Sequence, residues 1–421
     1  MATRPRSPRR PATPPGPPAP PPIRVRMYNV GFGDCFLLII PEIDGNPVRK
    51  LLFDCGSIKK SATHKTDDVV KKLIDDIAAL EPDGKPRLDV VIATHRHADH
   101  ISGFDSPLWR TVTVKEVWLP WTEKEDDRDA MRLRAEQQRL ALALTAAFAA
   151  IPPPEDVRLL ADDAVTNAAA METLQRGFAG SPKRRFLTAP TEGSRLMETD
   201  ILPGIAVHLL GPTRDEEALK AMDPRADESF LALWATDTAS LAGKKPAPFA
   251  PMWTNPFATP LDPSTAETIR TVNDELGLEL AFRLDSVLNN TSLMLVLVIG
   301  KAVLLFPGDA QWGSWKLALE DADCRALLER VTFLKVGHHG SHNSTPVSFV
   351  DKCLAPRKLS DKISSMISVI PRGTWDIPRH PLELALTDVT GHRTVRSDKN
   401  DPLPPEFERE GSFWIENRID H

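Results

Sequence analysis

Three histidines and an aspartate fall within six positions, His95, His97, Asp99 and His100, directly after the apolar run Val90-Val91-Ile92-Ala93. Neutral imidazole nitrogen and carboxylate oxygen are ligands that borderline-soft divalent metals such as zinc accept. The His-x-His alternation lets two rings converge on one ion, while Asp99 and His100 turn toward a second. A solvated polar loop is the bland alternative. Against it, six of the chain's eleven histidines lie in two clusters, His95–His100 and His338–His342, and packing does not explain that.

Two further stretches repeat the pattern of an apolar run ending in a ligand. Phe306-Pro307-Gly308-Asp309 presents a carboxylate after a glycine that permits close approach, which suits an aspartate bridging two metals. By itself such an aspartate would more often begin a turn or cap a helix. Phe333-Leu334-Lys335-Val336-Gly337-His338-His339-Gly340-Ser341-His342 ends in histidines. One of His338 and His339 should ligate, and His339, next to Gly340, is favoured. The other, His338, is placed to touch substrate or donate a proton to a leaving group. His342 reads as a bystander.

The elements that must position these groups follow from apolar periodicity. Strands are expected at Ile23–Met27, Cys35–Ile40, Leu51–Phe53, Val90–Ala93, near Val112–Leu119, at Val331–Val336 and at Met366–Ile370. Leu293–Phe306, broken by Gly300-Lys301, reads as a hairpin. Thr66 or Asp67 should cap an amphipathic helix carrying Val69, Val70, Leu73, Ile74, Ile77 and Leu80. Histidines at the carboxyl ends of buried strands place the chemistry where α/β proteins usually have it. Residues 1–22 hold ten prolines and almost no apolar bulk, and read as a disordered tail. Glu125–Ala150 and the surroundings of 163–176 read as helical.

Bulk properties narrow the classes. No apolar stretch approaches the roughly 20 residues that span a bilayer, and no secretory signal is visible, so cytoplasm is the expected location. Cys35, Cys55, Cys324 and Cys353 are scattered, without CxxC spacing, and read as small buried apolar residues. Net charge is −6, and the four arginines of residues 1–22 contribute +4, leaving −10 on the rest. An acidic body is the wrong sign for gripping many phosphates. Any nucleic-acid contact must come from a local patch such as Lys183-Arg184-Arg185, from the ions or from the tail.

His95-x-His97-x-Asp99-His100, Asp309 and the His-His-Gly-Ser run at 338–341 resemble the metallo-β-lactamase superfamily. Within it the chain resembles the ComEC-like, DNA-uptake branch. Asn29-Val30-Gly31-Phe32-Gly33-Asp34, Asp54-x-Gly56, Asn289-Asn290-Thr291-Ser292-Leu293, His380-Pro381 and Gly391–Asp398 also match. The resemblance spans about 23–400 in pieces and leaves out 122–200 and 213–280, read as mainly helical insertions into a single domain of residues 23–415. It implies an α/β, four-layer αββα sandwich with a dinuclear centre on its edge. His95 and His97 would hold the first ion, Asp99, His100 and His339 the second, and Asp309 would bridge. Two divalent ions are implied, zinc foremost and manganese as the alternative. Many superfamily members supply one more histidine to the first ion. Here His208 alone lies between 101 and 337, in a strand-like run where packing is the better reading. His380, Asn290 and Ser292 are candidates for the pocket wall.

The implied activity is a metallohydrolase using a metal-activated hydroxide, with Asp99 orienting the nucleophile. A phosphodiesterase or nuclease is the first reading of substrate. Small esters, lactones or amides are the alternative, because the body is acidic and insertions can roof the pocket. A non-enzymatic interaction module is the third, disfavoured by the intact ligand set. Protein partners and oligomeric state have no sequence signal.

Overall fold

A computed structural model describes residues 20–58, 61, 63–150, 167–230, 288–341, 343–357, 362–370 and 377–421. Most of the expected tail, His342 and 231–280 of the second expected insertion lie outside these residues.

The first sheet is built mainly from the N-terminal half. Its strands are β1 (Ile23–Tyr28), β2 (Phe36–Ile40), β3 (Arg49–Phe53), β4 (Arg87–Ile92), β5 (Thr113–Pro120) and β6 (Lys183–Leu187). The second holds β7 (Leu196–Met197), β8 (Ala206–Gly211), β9 (Met294–Ile299), β10 (Ala302–Phe306), β11 (Phe333–Lys335), β12 (Ser364–Ile367) and β13 (Thr394–Arg396). The chain then returns to the first sheet as β14 (Phe407–Glu410) and β15 (Trp414–Ile419). Strand order is β14-β15-β1-β2-β3-β4-β5-β6 in one sheet and β13-β12-β11-β10-β9-β8-β7 in the other. β3 to β6 run parallel, as do β10 to β13, so each sheet gathers several carboxyl ends along one edge.

Side-chain alternation sorts these strands into four layers. Val25, Leu38, Leu51, Val90, Leu295, Leu304 and Phe333 meet between the sheets. The residues of opposite parity, Leu37, Leu52 and Val91, face outward under Val69, Val70, Leu73, Ile74 and Ile77 of the helix Thr66–Ala79. On the far side Val296, Val303, Leu305 and Leu334 pack with Trp315, Leu328, Leu382 and Leu386 of helices Trp312–Glu320, Ala322–Leu328 and His380–Val389. Both faces of the central strands are therefore buried, which is why they read as unbroken apolar runs. The chain forms the expected αββα sandwich, and Leu293–Phe306 is the expected hairpin.

Three details differ from expectation. The first helix begins at Thr66 with Lys65 as its N-cap, whose N–H is held by Asp68 Oδ2 at 3.1 Å. The helix after β5 begins at Arg128, where Asp127 Oδ1 accepts from the Ala130 N–H at 3.0 Å. The stretch 122–200, expected to be mainly helical, contributes β6 and β7. Lys183-Arg184-Arg185 is thus the start of an edge strand, with Lys183 and Arg185 reaching Glu116 at 3.8 and 3.7 Å. Charge on a sheet edge is ordinary protection against further pairing, and this basic spot loses its weight as a sign of nucleic acid. All four cysteines are buried thiols. Among the described residues, no helix is long and apolar enough to cross a membrane.

Candidate metal centre

Phe53 and Phe306 stack across the two sheets with centroids 3.9 Å apart, and the chain leaves both strands immediately above this floor. Asp54 follows β3, Thr94 to His100 follow β4, Asp309 follows β10, His338 and His339 follow β11, and Ser368 follows β12. Ser292 precedes antiparallel β9 and so arrives at the same edge.

Backbone hydrogen bonds tie these loops together. Asp34 N donates to Asp99 O at 2.8 Å, Cys55 N to His100 O at 2.7 Å, and Gly56 N to Asp34 O at 3.0 Å. The contact leaves no room at Gly56, where a Cβ would run into Ala98 O and meet His100 C at 2.5 Å. Backbone cannot give way as a flexible side chain can. Gly56→Ala is expected to cost about 3 kcal/mol by overpacking, read as a lowered denaturation midpoint. A midpoint equal to that of the parent chain would contradict this packing.

Within this frame His95, His100 and His339 each have a ring nitrogen held from outside. His100 Nδ1 lies 2.8 Å from Asp54 Oδ2, and Asp54 is itself held by the Thr94 N–H and hydroxyl, both at 2.7 Å. His100 Nε2 then points inward, 3.0 Å from Asp309 Oδ2 and 3.8 Å from Asp99 Oδ1. His339 Nδ1 lies 2.8 Å from Ser368 O, and its Nε2 lies 2.9 Å from Asp99 Oδ2. His95 Nδ1 stands 3.1 Å from Ser292 Oγ, with its Nε2 2.9 Å from His97 Nδ1. One nitrogen tied to an outer oxygen while the other faces inward is the habit of metal-ligating histidine.

Two of the donor groups that result are Asp99-His100-Asp309-His339 and His95-His97-Asp99, all buried, the atoms of each lying within 4.8 Å of one another. Asp99 is common to both. Asp309, expected as the bridge, falls in one, because its Oδ1 accepts from the His338 N–H at 2.9 Å and only Oδ2 faces His100. A buried imidazole–carboxylate set, with Asp99 Oδ1 in no hydrogen bond, could hold metal ions.

The backbone is strained at this edge. Asp54, His338 and His339 have φ of 54°, 46° and 52°, left-handed values that cost non-glycine residues about 1–3 kcal/mol each. Such strain collects where a side chain must be aimed, and here it falls on the donor His339, on its neighbour His338 and on Asp54, which holds His100.

Electrostatics in the metal-free state bind protons. Burial works against imidazolium at His100, yet Asp309, Asp99 and Asp54 outweigh it and raise the pKa well above the ordinary imidazole value. At His339 burial is likewise overcome by Asp99 and Asp34. At His95 burial, reinforced by His100 and His97, pushes the pKa well down, so that ring is neutral. Raised values stabilise the fold below the unfolded imidazole pKa, and that stabilisation is lost as pH rises through the folded value. A divalent ion must displace the same protons. Zinc addition near neutral pH should release protons from His100 and His339, measurable by calorimetry in buffers of different ionisation enthalpy. Uptake with no proton release would contradict this charge state.

The remaining candidates are dispersed. Ser292 joins the site, with its Oγ accepting from Asp309 N at 3.1 Å. Asn290 is a buried brace, donating to Leu219 O and Ala221 O and accepting from Gln311 N. His208 lies on the strand face opposite Val207 and Leu209, which point between the sheets, and its pKa is lowered by burial and by Arg330. It joins neither donor group. His380 is exposed at the start of its helix. His338 Nδ1 meets Asn343 Oδ1 at 3.2 Å, and burial lowers its pKa. Sequence reasoning passed over Thr94, Ser368 and Lys335. The first two hold ligands through a hydroxyl and a carbonyl, which carry no sequence signal. Lys335 had one, as a charged residue inside an apolar strand.

The two-sheet sandwich and the buried His/Asp cluster fit the metallo-β-lactamase superfamily, and nothing in them singles out the ComEC-like branch. No family model matches the chain, and no curated protein matches it. Among solved structures it is similar to one of a point mutant of "CmlA beta-hydroxylase", at 11% identity and a TM-score of 0.32. The match covers 90% of this chain and 53% of that one, so the chain spans about half the length of its structural relative.

Proposed function

We propose that this chain is a metal-dependent hydrolase with two divalent ions, one held by His95, His97 and Asp99, the other by Asp99, His100, Asp309 and His339. The observation that carries the reading is the convergence of these six buried side chains, from three loops on two sheets, within coordination reach. Ions of this kind lower the pKa of a water and polarise the oxygen under attack. The protein's own contribution is geometry. Asp54 and Ser368 fix the rings of His100 and His339, Ser292 positions His95 and the Asp309 backbone, and Asp99 is shared between the two groups. Burial keeps His338 neutral, which suits a hydrogen bond to substrate better than proton donation.

On substrate, phosphodiesters remain the first reading, resting on the sequence motifs and on the excess positive charge that two ions bring to an otherwise acidic body. Small esters, lactones and amides are the second. At the rim, Arg96 stands 3.7 Å from Glu123 and Asn167 Nδ2 donates to Arg96 O at 2.6 Å, so chain from beyond β5 packs over the His95–His97 turn. A partly covered approach favours compact substrates over duplexes. A bis-aryl phosphate, single- and double-stranded DNA, RNA and a lactone, each assayed with zinc and with manganese, separate these readings. No turnover of any of them, with zinc bound, would sink the hydrolase.

A further inference from the structure

Lysine is almost never fully buried unless paired, yet Lys335 sits in the middle of the second sheet with a side chain 4% exposed. Phe333, two residues earlier on the same strand face, packs between the sheets, and Lys335 projects into the same space toward the metal loops. Its ammonium meets the Asp34 carboxylate, which comes from the turn between β1 and β2 on the other sheet. It also lies 3.4 Å from Asp309 Oδ1 and 3.3 Å from Gly308 O. Asp309 is thereby divided: Oδ1 is held by Lys335 and the His338 N–H, and Oδ2 alone faces His100 Nε2.

A third donor group, Asp34-Asp54-His100, is also close enough to hold an ion. Lys335 already supplies a cation there, against Asp34. Four buried carboxylates, Asp34, Asp54, Asp99 and Asp309, therefore share one permanent positive charge before any metal arrives.

We infer that Lys335 is a positioning residue of the metal centre: it holds one oxygen of Asp309, leaves the other for the ions, and occupies with its own charge the place of a third cation. The inference rests on the dinuclear reading above. Two consequences have opposite signs. The ammonium helps hold the metal-free fold together, because Asp34 and Asp309 would otherwise face each other uncompensated. It also repels the ions, so affinity is lower than the carboxylates alone would give.

The test compares the full chain with Lys335→Met and Asp34→Asn. Zinc affinity is read by competition with a chromophoric chelator, and the visible spectrum of each chain is recorded with cobalt(II). Lys335→Met should melt lower in chelator, bind zinc at least about ten-fold more tightly, and show weaker cobalt bands as Asp309 Oδ1 joins the coordination. A lysine that merely supported the fold would lower melting point and affinity together. Asp34→Asn is nearly isosteric and leaves the ammonium to Asp309 alone, so it should bind zinc about ten-fold more weakly; it serves if Lys335→Met does not fold. Affinity unchanged or weaker in Lys335→Met, or unchanged or tighter in Asp34→Asn, overturns the role of Lys335. An unsubstituted chain that takes up no zinc overturns the metallohydrolase reading instead.

Discussion

Asp99→Ala is expected to lose at least about a thousand-fold in kcat, roughly 4 kcal/mol of transition-state stabilisation, while remaining folded. Asp99 is the one residue common to both donor groups, so its removal takes a ligand from each. It also frees His339 Nε2, which now sits 2.9 Å from Asp99 Oδ2. Metal content measured beside turnover gives the mechanism: the variant should hold fewer ions than the parent at equal free zinc. His97→Ala should strip the first group selectively, leaving the second occupied. If both variants keep turnover within about ten-fold of the parent, roughly 1.4 kcal/mol, the metal mechanism is untenable.

The second large effect concerns stability. Removing bound metal leaves the centre's carboxylates facing one another, balanced by Lys335 and by whatever protons the histidines hold. Zinc at a hundredfold excess over its dissociation constant should add about 2.7 kcal/mol per site. For a chain of this size that raises the melting temperature by at least about 5 °C. The gain should grow as pH rises through the raised His100 and His339 values, because the metal-free form loses its imidazolium pairs there while the loaded form does not. A melting temperature indifferent to both zinc and chelator would mean that the cluster binds no ion.

Most of the frame was legible because its signals are local. Apolar runs within Arg87–Ile92 and at Ala302–Phe306 end where ligands begin, and each became a strand feeding the site. The ligand loops were legible because histidine is rare and clusters only for a reason. What stayed hidden depends on contacts between distant segments. That Asp309 is divided between Lys335 and His100 requires β10, β11 and the turn before β2 to meet. The edge strand β6 was masked by its own charges, since Lys183-Arg184-Arg185 has no apolar alternation beyond Phe186 and Leu187. Asn290 looked like a pocket amide and proved to be a brace, because the carbonyls it holds, at Leu219 and Ala221, lie about seventy residues away.

The pairing of β1 with β15 has a practical side. Ile23 stands opposite Ile419, and β1 runs from there toward the metal loops, parallel in direction to β3. Both ends of the sandwich therefore emerge side by side at the pole remote from the His/Asp cluster. An affinity handle or surface tether attached there would anchor the molecule with its His/Asp cluster facing away from the support.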